Sequence, residues 1–181
     1  NFNVSYLISP EEKMSFMRKS FSLWFISLFI CNLALSDVIV SIDDVLVGGY
    51  TEDIIVPVNV SNPDNSVGGF QFDIVAVPTI ITLSGASPID SDNFSADFTV
   101  FEDGSGRIIF YNNSGGQISS GGDGIVLNLH YDGSDVLSAL VDLEAYDLTV
   151  SDGDGNIIAG ELVNGSITIG NVVIMSASTD T

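Results

Sequence analysis

From residue 38 onward, apolar residues alternate with polar ones in short runs. Successive side chains of a β-strand point to opposite faces, so each run predicts a strand with one buried face. The apolar positions that share a parity are Val38, Val40 and Ile42; Ile54, Val56, Val58 and Val60; Phe70, Phe72, Ile74 and Ala76; Ile108 and Phe110; Ile125, Leu127, Leu129 and Tyr131; Val141, Leu143 and Ala145; and Ile167 and Ile169. No stretch keeps the helical period for long enough to predict a helix.

Turn dipeptides separate these runs at near-regular intervals. The pairs that supply residues tolerant of positive φ are Asp103-Gly104, Asp123-Gly124, Asp132-Gly133, Asp152-Gly153 and Asn164-Gly165. Many short strands separated in this way predict an all-β domain of about nine strands, a sandwich or jelly roll. Pro57 has no N–H to donate, so we expect its strand at a sheet edge or Pro57 at a position that makes no ladder bond.

The first 36 residues have the pattern of an export signal. Arg18 and Lys19 precede an apolar run of about ten residues, short of the ~20 that a bilayer span needs. Ala34-Leu35-Ser36 then offers a cleavage site of small residues. We therefore predict a secreted or cell-surface bacterial protein with four segments: an untranslated upstream extension at 1–13, a signal peptide at 14–36, a β-sandwich at 37–170, and a tail or linker start at 171–181.

Charge narrows the range of partners. The chain has 24 acidic and 4 basic residues, a net charge of −20. Loss of residues 1–36 removes Glu11, Glu12 and three of the basic residues, so 22 acids remain against Arg107 alone. Nucleic acids and anionic membranes would repel such a surface, which excludes both as partners of the mature domain. Acidic excess also promotes solubility without any partner.

The mature domain offers little catalytic chemistry. Its only cysteine, Cys31, lies in the predicted signal peptide, so disulfides and thiolate metal sites are not expected. His130 is the only histidine, and its parity places it on an outward face. A histidine-based nucleophile therefore lacks a credible base, and we expect no enzymatic activity. Hydrolysis by paired carboxylates stays open, because it demands only a separation of ~5–10 Å.

One segment has the spacing of a calcium loop. Asp152, Asp154 and Asn156 provide side-chain oxygens at its first, third and fifth positions. An EF-hand needs glycine at the sixth position and glutamate at the twelfth, where this chain has Ile157 and Val163. Two interpretations remain, a polar hairpin and a weak surface calcium site formed by the three oxygen-bearing residues. No other cofactor is expected.

Three segments, in order, resemble the cohesin domain, a scaffolding module of bacterial cellulosomes and related exported proteins. They are residues 38–60, with the run Ile55-Val56-Pro57-Val58; residues 67–74, Val-Gly-Gly-Phe-Gln-Phe-Asp-Ile; and residues 148–167, from Leu148-Thr149-Val150 to Val163-Asn164-Gly165-Ser166-Ile167. The resemblance implies a nine-stranded jelly roll, close in fold to some carbohydrate-binding modules, with a flat sheet face that binds a dockerin. The best-known dockerin-binding cohesins carry Asn and Asp where this chain has Gly69 and Gln71, so recognition can differ.

The function that the resemblance implies is non-catalytic protein–protein assembly in extracellular polysaccharide-related machinery, with a dockerin-like partner. The outward faces of two strands would carry it, with Gln71 and Asp73 on one and Asp142, Glu144 and Tyr146 on the other. A flat sheet face gives a large, pre-organised surface for this purpose.

A carbohydrate-binding module is the alternative. Sugar rings pack on exposed aromatic rings, and the mature chain has no tryptophan. Tyr111 and Tyr146 are the candidates for such a platform, with acidic residues as acceptors for the sugar hydroxyls. The competing interpretation is that both tyrosines have only a structural packing role.

Overall fold

The computed structural model describes residues 38–62, 64–113 and 116–170, which form two packed β-sheets. The upstream extension, the signal peptide and the tail predicted from the sequence lie outside these residues. The strands are β1 (Val38–Ile42), β2 (Val45–Val47), β3 (Thr51–Asn62), β4 (Gly69–Val77), β5 (Thr82–Pro88), β6 (Phe94–Val100), β7 (Gly106–Asn112), β8 (Gly122–Gly133), β9 (Ala139–Ser151), β10 (Ile157–Ile158), β11 (Gly160–Val163) and β12 (Gly165–Ile169). Within the described ranges, no helix is long and apolar enough to cross a bilayer.

The strands divide between two sheets. Sheet A has the order β11-β1-β3-β8-β5, and sheet B has the order β2-β12-β9-β4-β7-β6 with β10 attached to β9. Two pairs are parallel, β1 with β11 and β2 with β12. The predicted all-β sandwich is confirmed. The described residues contain twelve strands rather than nine, because β2, β10 and β11 are only two to four residues long and too short to show an alternation.

The core fills the space between the sheets with the residues that alternation had selected. Val38, Ile54, Phe72 and Leu129 are fully buried, like nearly all the other predicted core positions. Ala145 is partly buried, and Ile125 is the clear exception, since it is 47% exposed. A register shift in the β3–β8 pair places Ile125 opposite Asn59, on the outer face. One extra residue in a strand reverses the faces beyond it, which is why parity failed there.

Pro57 lies inside sheet A, because β3 runs between β1 and β8. Of the two arrangements that the sequence predicted, the edge strand is therefore wrong. The carbonyl of Pro57 accepts a hydrogen bond from the backbone N–H of Asp43, just after β1 ends. The ring nitrogen points to the same side as this carbonyl in an antiparallel strand. The missing N–H of Pro57 therefore faces the residue that follows β1, where the hydrogen bonds between β1 and β3 are ending.

The hydroxyl of Tyr131 is buried in the core without a hydrogen-bond partner among the described residues. Burial raises the pKa of this phenol, because the apolar surroundings disfavour the charged form. We expect Tyr131→Phe to raise the free energy of unfolding by about 1 kcal/mol, since a buried unsatisfied hydroxyl is costly. Urea denaturation measures the change. A variant that is less stable than the parent would show that the hydroxyl has a partner, such as a bound water.

Candidate functional site

The outer face of sheet B, which we call face B, brings the predicted partner-binding residues together. Register places Tyr146 of β9 opposite Asp73 of β4, and Thr149 opposite Gln71. The outward residues that define face B are Gln71, Asp73, Asp97, Arg107, Ile109, Tyr111, Asp142, Glu144, Tyr146 and Thr149. All five residues predicted for partner contact lie on this face.

A β-bulge in β9 places both Tyr146 and Thr149 on face B. Two residues lie between Tyr146 and Thr149 while only one lies between Gln71 and Asp73, and Asp147 takes a positive φ of 55°. The extra residue moves the inward positions from odd numbers to even ones. Both Tyr146 and Thr149 therefore point outward, although strict alternation from Val141 would have placed Thr149 inside.

Asp73 is less accessible than its parity suggested. It is only 7% exposed, and its carboxylate accepts two hydrogen bonds from Arg107, at 2.6 Å from Nε and 2.8 Å from the second guanidinium nitrogen. The hydrogen bonds to Asp73 raise the pKa of Arg107. The Arg107 side chain is 43% exposed and lies 5.8 Å from the centre of the Phe101 ring. The pair cancels the only basic charge on face B and holds β4 to β7.

A groove of about 420 Å³ opens at one end of face B. The residues that line it include Gln71, Ile109, Tyr111, Thr149 and Ser151, together with glycines of the neighbouring segments and of the turn after β9. The floor of the groove requires glycine at positions 68 and 69. A Cβ at Gly68 would overlap the carbonyl oxygen of Asp152, and one at Gly69 would lie 2.6 Å from the carbonyl oxygen of Phe110. Ile109, Thr149 and Ser151 were not selected from the sequence; the alternation of Ile109 with Tyr111 could have pointed to Ile109.

Asn62, which the sequence did not single out, fixes the loops beside this groove. It is fully buried, and its side-chain amide donates to the carbonyls of Asn65 at 2.7 Å and Ser119 at 2.9 Å, with a longer contact of 3.3 Å to Ile118. Val67 and Ile118 then form a two-way backbone bridge. The segments that end in Gly68 and begin at Gly116, both in the groove lining, are thereby tied to β3.

The candidate calcium segment forms a turn that caps itself. Asp152 accepts hydrogen bonds from the backbone N–H groups of Asp154 and Asn156 and from the Asn156 side chain. These bonds lower the pKa of Asp152, with the Asn156 side chain the largest cause. Among the residues that the structure describes, no three His, Cys, Asp or Glu side chains are placed to share a metal ion. The hairpin interpretation accounts for these contacts, and calcium binding stays a prediction.

Salt and calcium separate the two interpretations of this turn. Self-repulsion among the carboxylates is screened as the Debye length falls from ~30 Å at 0.01 M salt to ~8 Å at 0.15 M. We expect the melting temperature to rise with sodium chloride over that range. A further rise in millimolar calcium would reveal a specific site. If calcium adds nothing beyond a matched ionic strength of sodium, the calcium site is excluded; if sodium has no effect, the repulsion argument is wrong.

The two tyrosines of the carbohydrate alternative do not form one platform. Tyr111 of β7 pairs with Gly69, whereas Tyr146 of β9 pairs with Asp73, four residues further along β4. Tyr111 is 39% exposed, and its hydroxyl donates to Asp97 at 3.1 Å. Tyr146 is 41% exposed and lies outside the groove lining. Each ring could contact a ligand, but only Tyr111 borders the groove.

His130 lies on the outer face of sheet A, as its parity predicted, but it is more tightly held than expected. Its Nε2 lies 2.8 Å from the hydroxyl of Ser87, and its Nδ1 lies 2.9 Å from the carboxylate of Asp53. This is the atom order of a hydrolase triad, which the sequence did not foresee. Asp53, His130 and Ser87 belong to β3, β8 and β5, so these hydrogen bonds join three neighbouring strands of sheet A.

Comparison with known proteins agrees with this architecture. The sequence model of the Cohesin domain matches residues 38–169. Among curated protein sequences, none matches. CaCohA2 from Clostridium acetobutylicum, solved in complex with a variant of CaDoc0917, is 26% identical with a TM-score of 0.59; the alignment covers 73% of this chain and 99% of that chain.

Two further solved structures share the fold at lower identity. A non-cellulosomal cohesin from the archaeon Archaeoglobus fulgidus is 18% identical with a TM-score of 0.59, over 75% of this chain and 92% of that one. The cohesin of the Coh-OlpA–Doc918 complex from Clostridium thermocellum, a type I cohesin–dockerin complex, is 21% identical with a TM-score of 0.59, over 73% of this chain and 98% of that one.

Proposed function

Because this chain belongs to the cohesin family, we propose that it is an exported, non-catalytic module whose face B binds a dockerin-like protein. The observation that carries the proposal is the 26% identical cohesin solved in complex with its CaDoc partner. The predicted signal peptide supports a location outside the cell. Extracellular machinery that degrades polysaccharides is the setting that we propose for the assembly.

The geometry of face B suits a docking role. Its strands are rigid elements of a packed sandwich, so little conformational entropy is lost when a partner binds. Tyr146 and Ile109 are partly exposed apolar residues, and Glu144 and Asp142 flank them with charge. An apolar centre with a polar rim is the usual composition of a specific interface.

Capture from the secretome of the source organism tests the proposal. The purified protein is immobilised beside a face B variant, Glu144→Arg with Tyr146→Ala, and a sheet A variant, Ile55→Ala. We expect dockerin-containing proteins on the parent and on the sheet A variant, and not on the face B variant. Retention on a polysaccharide with no protein captured would instead support the carbohydrate alternative.

A further inference from the structure

The groove on face B is lined by polar groups that can accept hydrogen bonds. Ser151 and Thr149 contribute hydroxyls, Gln71 contributes an amide, and the turn after β9 contributes Asp152. Asp97 adds a carboxylate beside the groove, because it pairs with Ile109 on the neighbouring strand. A ligand with many donors and few acceptors fits such a lining.

Charge favours a cationic ligand. Arg107 is the only Lys or Arg between residues 38 and 170, and it is bound by Asp73. Asp152 lies in the groove lining and Asp97 lies beside it, and residues 38–170 supply no free cation to pair with either carboxylate. The hydrogen bonds of its own turn lower the pKa of Asp152 and so favour its charged form. A positive group from the partner would gain Coulomb energy here that a neutral group would not.

Tyr111 gives the groove an aromatic wall. Its ring is 39% exposed, and its hydroxyl donates to the carboxylate of Asp97. Donation to an anion increases the electron density of the ring, which strengthens its attraction for a cation over its face. Ile109 lies next to Tyr111 on the same side of β7 and can cover an aliphatic stem. A guanidinium group stacks on aromatic rings and carries five donors without an acceptor.

From these contacts we propose that the groove receives an arginine side chain of the protein partner, which stacks on Tyr111 and pairs with Asp97. The inference rests on the proposed docking function of face B and specifies the chemistry that the partner must present. A volume of about 420 Å³ lies within the ~300–1,000 Å³ range of small-ligand sites, so the groove accommodates the side chain with part of its backbone.

Titration with small probes tests the inference without a known partner. Backbone amide shifts of the ¹⁵N-labelled protein are followed during addition of N-acetyl-arginine amide and of its neutral isostere, N-acetyl-citrulline amide. We expect shifts centred on Gln71, Tyr111 and Thr149. The citrulline probe should bind at least about fivefold more weakly than the arginine probe. Equal binding of both probes, or shifts centred elsewhere, would overturn the inference. A methyl glucoside that binds the groove better than the arginine probe would assign the groove to sugar.

Matched variants assign the contact. Tyr111→Leu and Asp97→Asn are each expected to weaken the arginine probe severalfold. Asp123→Asn removes the same charge from an exposed position of β8 in sheet A, and we expect no change. If all three variants bind the probe as the parent does, the inference is wrong. If the arginine probe does not bind while capture of a dockerin still depends on Glu144 and Tyr146, only the arginine contact is wrong. If the parent protein captures no dockerin, the docking function itself is wrong.

Discussion

Replacement of Tyr146 by alanine is expected to weaken binding of the protein partner by about 30-fold or more, the effect of a loss of roughly 2 kcal/mol at an interface hot spot. Tyr146 projects from β9, an inner strand of sheet B, and is 41% exposed, so its ring is available to a partner. It stands opposite Asp73, whose charge is cancelled by Arg107. Burial of this part of the face beneath a partner therefore does not isolate an unpaired carboxylate, which would oppose binding.

Calorimetric titration with the dockerin module identified by capture measures the effect. Ile55→Ala is the control, because Ile55 is a similarly exposed apolar residue on the outer face of sheet A. Its variant should bind as the parent does. An equal loss of affinity in both variants would point to a general change in stability, and an unaltered affinity in Tyr146→Ala would remove Tyr146 from the interface.

Replacement of Asn62 by alanine is expected to lower the free energy of unfolding by about 2–4 kcal/mol. The side-chain amide of Asn62 is the donor for the carbonyls of Asn65 and Ser119, at 2.7 and 2.9 Å. Without it, the carbonyl of Asn65 loses this donor, and the carbonyl of Ser119 keeps the backbone N–H of Gly122, at 3.1 Å. Each lost hydrogen bond costs ~0.5–1.5 kcal/mol, and truncation of a fully buried side chain adds to this cost. The segments that line one end of the groove lose their attachment to β3, so binding of the arginine probe should also weaken.

Urea denaturation at 25 °C gives the stability difference, and Asn59→Ala provides a matched control on the same strand. The Asn59 side chain donates one hydrogen bond to Asp43, at 2.7 Å, in a half-buried position. Its loss should therefore cost about 1 kcal/mol. Equal effects of the two substitutions would mean that the Asn62 network is no more important than a single surface hydrogen bond.

The alternation of apolar residues predicted the core and the fold class because burial acts on one face of each strand. Val38, Phe72 and Leu129 could be placed inside from parity alone, and all three are fully buried. The same rule placed Gln71 and Tyr146 on an outer face. It failed at Ile125, where a register shift reverses the faces, and it did not foresee Thr149, which follows the bulge in β9. A bulge depends on the pairing with another strand, which local alternation does not contain.

Sequence by itself determined the longer core strands, the acidic charge and the family to which the chain belongs, since these follow from local periodicity, composition and ordered motifs. Only the tertiary structure decided the sheet order that brings β4, β7 and β9 side by side, the pairing of Asp73 with Arg107, and the groove bordered by Tyr111. These features join residues that are far apart in the chain. Their positions depend on long-range strand pairing and on bulges, and no local pattern encodes either.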